Sequence, residues 1–76
     1  MSREGFSDDH WYAGQPAPGG RFRHNDSVRV TAGEHGGKFG AIIYFQTWGR
    51  ELEYLVELGS GEGDLWFSDS SLAPAE

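Results

Sequence analysis

Val28 to Phe45 reads VRVTAGEHGGKFGAIIYF, two apolar runs joined by a turn region, with glycine at positions 33, 36, 37 and 40. In the first run Val28 and Val30 alternate with Arg29 and Thr31, the period of 2 expected of a strand with one face buried. In the second, Phe39 to Phe45, strict alternation puts Ala41, Ile43 and Phe45 on one side and Ile42 and Tyr44 on the other. Both sides are apolar, as in a central or strongly curved strand. Gly33, Gly37 and Gly40 fall at the end of the first strand, inside the turn and at the start of the second. Glycine at such points serves positive φ, a bend or a close backbone approach, all of which a small closed sheet needs.

Outward from this core the pattern continues as short strands and turn signals. After QTWGR at 46–50, LEYLVEL places Leu52, Tyr54, Val56 and Leu58 on one face and Glu53, Leu55 and Glu57 on the other, with Leu55 the one irregularity. The GSGEG run at 59–63 reads as a flexible hairpin loop. DLWF at 64–67 is a fourth short strand, and SDSSL at 68–72 suits a single 3₁₀ turn, with Leu72 folding back to seal the core. Pro74 ends regular structure. Residues 1–21 differ: no lasting period, two prolines, and Gly19-Gly20 close by. This stretch reads as a flexible N-terminal arm, ordered in part if Phe6, Trp11 and Tyr12 find a groove, or else left to contact a partner. The expectation is an all-β domain over 22–76, a small five-stranded barrel, preceded by the arm over 1–21.

The glycine pattern resembles the KOW motif: Val28-Arg29-Val30, then Gly33, Gly37-Lys38 and Gly40, followed by the apolar run Ala41-Ile42-Ile43. Asn25-Asp26 stands where such domains often have Gly-Asp, and Asn tolerates the left-handed conformation. The order of YLVEL, glycine loop and SDSSL is similar to that of small bacterial SH3-like barrels containing this motif. The resemblance implies an SH3-like fold and a role in binding RNA or proteins, as in ribosomal proteins and transcription elongation factors, with Gly33, Lys38 and Gly40 marking the corresponding loop.

Charge narrows the function. Of 76 residues 12 are acidic and 6 are Lys or Arg, a net charge of −6, and the whole excess lies from Asp26 onward, where nine acids face three bases. Such a chain repels a polyanion over most of its surface, whereas nucleic-acid binders draw affinity from Lys and Arg on phosphates. An RNA or ribosome contact would fall to a local basic set, Arg21, Arg23, Arg29 and Lys38. Catalysis is not expected: there is no cysteine and no G-x-S-x-G elbow. His10, His24 and His35 are too far apart for a zinc motif, and Asp8-Asp9-His10 alone is a weak metal signal, so neither metal nor cofactor is expected. The longest apolar run, Ala41 to Phe45, is far short of the ~20 residues that span a bilayer. The first residues do not read as a signal peptide. A cytoplasmic protein is the expectation.

The aromatics give the functional lead. Trp48 sits at the tip of QTWGR, and Trp66 with Tyr44 or Tyr54 would line the neighbouring surface. With Glu51, Glu53 and Asp64 they suggest an acidic, aromatic surface for a protein partner, an extended or basic peptide held by charge and by cation–π attraction. Alternatively, Trp48 closes the barrel end as a lid. PAPGG at 16–20 and the aromatic arm are a candidate occupant of the same surface, within the molecule or on a second copy, which implies a monomer or weak dimer. The expected function is thus a non-catalytic protein-binding module, followed by the KOW-type RNA contact and by an acidic accessory or inhibitor protein.

Overall fold

The computed structural model describes residues 7–47 and 51–75. One short helix, α1 (Asp8–Tyr12), precedes five strands: β1 (Ser27–Val30), β2 (Phe39–Gln46), β3 (Glu53–Leu58), β4 (Gly63–Ser68) and β5 (Leu72–Pro74), with a 3₁₀ turn (Asp69–Ser71) between the last two. The strands form one antiparallel sheet in the order β4-β3-β2-β1-β5. The protein is therefore all-β, and β4 and β5 are the two edges of the hydrogen-bonded ladder. Among the described residues no helix is long and apolar enough to cross a membrane.

Strand parity decides the core. On β1, Val28 and Val30 are fully buried between exposed Ser27 and Arg29. On β3, Tyr54, Val56 and Leu58 turn inward while Glu53, Leu55 and Glu57 turn outward. β2 departs from strict alternation. Ile42 pairs with Val56 and Tyr44 with Leu55, leaving Ile43 as an extra residue in a β-bulge. The bulge shifts the parity, so that Ile42 and Phe45, assigned to opposite sides by alternation, are both fully buried, and Ile43 and Tyr44 are left half-buried.

The segment set apart as an arm supplies part of this core. Ser7 opens α1, with its N–H donating to His10 Nδ1 at 3.0 Å. One turn later Trp11 is fully buried, its ring 4.8 Å from that of Phe45 and its Nε1–H donating to the Ile43 carbonyl at 3.4 Å. That carbonyl belongs to the bulge, so the arm and the irregularity in β2 are coupled. Tyr12, by contrast, is exposed and packs edge-on against His24. The PAPGG stretch also docks within the chain, on the inner side of the sheet. Ala17 joins the core, and a Cβ on Gly20 would collide with the Tyr54 hydroxyl and Leu52.

A polar lock holds this docking. Arg21 donates to Asp69 Oδ1 (2.9 Å), to the Asp69 carbonyl (2.6 Å) and to the Leu72 carbonyl (2.6 Å), and its guanidinium lies 4.5 Å from the Phe22 ring centroid. Behind it the Phe22 N–H donates to Tyr54 Oη at 3.3 Å. Burial, reinforced by the nearby Asp69 carboxylate, pushes the Tyr54 phenol up to about 12.

The glycine-rich turn works as its spacing implies. Gly33 and Gly37 take φ of 80° and 92°, and the Gly37 N–H donates to Val30 O at 2.7 Å to close the hairpin. Gly40 answers to close approach instead: a Cβ there would lie 2.5 Å from the Glu57 carbonyl oxygen. Asn25 adopts φ 72°, in the left-handed region.

Candidate functional site

Residues directly opposite in an antiparallel ladder share a face, so the register of β2, β3 and β4 specifies the outer surface row by row. The central row is Tyr44, Leu55 and Trp66. On one side lies Gln46, Glu53 and Ser68; on the other, Ala41, Glu57 and Asp64, extended by Ser27 of β1. An apolar and aromatic band thus runs across three strands between two rows carrying carboxylates.

The sequence-expected residues divide clearly on this map. Tyr44, Trp66, Glu53 and Asp64 come together on the one face. Trp66 is 41% exposed, while Tyr44 is half-buried and its hydroxyl donates to Asp8 Oδ1 at 3.0 Å, which brings α1 to the rim of the face. Glu53 accepts from Gln46 Nε2 at 2.8 Å. Glu51 lies away from the rows and accepts the Ser70 N–H at 2.9 Å, so it braces the 3₁₀ turn. Trp48 lies outside the described residues.

Three contributors were not singled out as site residues. Leu55 is the centre of the band, and its signal was the lone apolar residue on the polar side of an amphipathic strand. Glu57 stands directly opposite Asp64, an exposed like-charge pair, and neither carboxylate has a salt-bridge partner among the described residues. Like charges so placed repel across the ladder, by roughly 0.2–1 kcal/mol. Asp8 reaches the face only because α1 docks, which spacing does not reveal.

The basic set is partly consumed by the fold. Arg21 is held by Asp69 and the Leu72 carbonyl. Lys38 pairs with Glu62, and this hydrogen bond together with the Ser60 hydroxyl holds the Glu62 carboxyl below the usual range. Arg23 and Arg29 are exposed, Arg29 pointing outward from β1 beside Phe39 and Ala73. Among the described residues no three His, Asp or Glu side chains gather as metal ligands.

The chain matches no known family model, no curated protein and no solved structure.

Proposed function

We propose that the protein is a non-catalytic binding module that engages a protein partner through the outer face of β2, β3 and β4, by capturing a basic, extended segment. The observation that carries this reading is the Tyr44–Leu55–Trp66 row flanked by Glu53, Glu57 and Asp64. The strands bearing Tyr44 and Trp66 stand about 10 Å apart, two strand spacings. A lysine or arginine stem laid over Leu55 would touch apolar carbon while its charge meets ring faces and carboxylates. Trp48, which follows β2 in the sequence, belongs to the same proposal.

The scaffold we propose is an SH3-like barrel containing a KOW-type turn. Support comes from the order β4-β3-β2-β1-β5, from the 3₁₀ turn that carries the chain from one edge to the other, and from the shared core beneath all five strands. The RNA-contact reading is secondary, because Arg21 and Lys38 are already ion-paired.

The test is an NMR titration of the labelled chain with a lysine-rich peptide, its glutamate counterpart and a short mixed-sequence RNA. Shifts clustered on Leu55, Trp66 and Asp64 with the lysine peptide alone are expected. Shifts confined to Arg29, Lys38 and Gly40 with RNA would replace this reading with the nucleic-acid one.

A further inference from the structure

Beyond the aromatic row, the same outer face ends in a shallow groove of about 680 Å³ where β1, β2 and the β3–β4 turn meet. Phe39, 53% exposed, lines it together with Ala41, Ala75 and Glu57, and Gly59 and Gly61 leave it open. The volume lies within the ~300–1,000 Å³ of sites that bind small groups. The groove therefore joins a largely apolar lining to the Glu57–Asp64 carboxylates, which have no salt bridge among the described residues.

We infer that this groove is the apolar anchor of the basic segment proposed above, which it takes as a bipartite ligand: one large apolar side chain followed by basic residues at alternate positions. The inference rests on the protein-binding reading and makes it specific. Along β3 the outward residues Leu55 and Glu57, and Gly59 beyond them, are spaced two residues apart, about 7 Å per step. An extended segment lying on this face has the same repeat. It sets its apolar side chain beside Phe39, its next inward residue at Glu57 and Asp64, and the following one over Leu55 between Tyr44 and Trp66.

Charge selects the occupant. A second copy brings another −6 to a face already lined with carboxylates, and a nucleic acid brings phosphates. A neutral apolar ligand leaves Glu57 and Asp64 repelling each other. A segment with Lys or Arg two residues from its apolar anchor relieves that repulsion.

The experiment uses the full chain and two capped peptides, Gly-Phe-Ser-Lys-Ser-Lys-Gly and the same peptide with alanine in place of phenylalanine, followed by amide shifts and affinity. The first peptide is expected to move Gly40, Glu57 and Gly59 as well as Leu55 and Trp66. Alanine should weaken binding about tenfold, in line with burying one aromatic side chain, and Phe39→Ser should do the same to the first peptide while shifts at Trp66 persist. Equal affinity for the two peptides, or a silent groove while Leu55 and Trp66 move, overturns the anchor and leaves the protein-binding reading standing. No shift anywhere with either peptide overturns both.

Discussion

The two sides of β3 share one backbone and meet opposite fates. Tyr54, Val56 and Leu58 on the inner side are almost fully covered, because Phe45, Phe22 and the docked arm close over them. Glu53, Leu55 and Glu57 on the outer side keep solvent contact, and the register sets Tyr44 and Trp66 in the same face. Alternation alone says which residues are on which side. It does not say which side will be covered, and here part of the cover comes from a segment with no periodicity at all, the arm carrying Trp11 and Ala17.

The largest expected effect attacks that asymmetry from the inner side. Trp11→Ala removes a fully buried ring from a small core and should cost about 3–5 kcal/mol, read as a lower urea midpoint. If Trp11 contributed only local helix packing, the midpoint would barely move, and the covered side would not depend on the arm.

A smaller effect is set by pH. The folded-state pKa of Tyr54, about 12, lies above the ordinary value near 10, so folding favours the neutral phenol. Its contribution is complete below pH ~10 and is lost as pH rises through about 12, a decline of roughly 2–3 kcal/mol. Unfolding curves between pH 9 and 12 should show this decline in the native chain and a shallower one in Tyr54→Phe. Parallel curves would mean that Tyr54 is not the group responsible.

The smallest effect sharpens the outer side, because stability and binding are expected to move in opposite directions. Asp64→Lys exchanges the Glu57–Asp64 repulsion for a cross-strand attraction and should raise stability by about 0.5 kcal/mol. The same change should weaken a lysine-rich peptide severalfold. Loss of stability together with binding would indicate that Asp64 is structural.

How far the sequence could be read follows the same division. The strands around the glycine turn and the amphipathic β3 were legible, because each rests on local chemistry, β-alternation and glycine at a turn; the 3₁₀ turn lies where the serines and aspartate suggested, but its Ser70 N–H is met by Glu51 from outside the turn. The bulge at Ile43 was not legible, since it depends on which residues of β3 stand opposite. Nor was the role of Arg21, a charged residue that reads as surface and serves as a lock only once Asp69 and Leu72 are brought to it across 48 residues or more of chain. Trp66, Tyr44, Glu53 and Asp64, named in the sequence by residue type, share one outer face. Their arrangement around Leu55 needed the register, and the bond from the Ser70 N–H to Glu51 was not legible, because a carboxylate next to a strand reads the same whether it faces solvent or braces a turn.

The most direct test of the central claim is the affinity of Trp66→Thr for a lysine-rich peptide, measured beside its thermal stability. Threonine keeps strand propensity at that position. The native chain is expected to bind the peptide and the variant, still folded, to bind at least tenfold more weakly; equal binding by the two folded proteins would rule out the outer face as the binding surface.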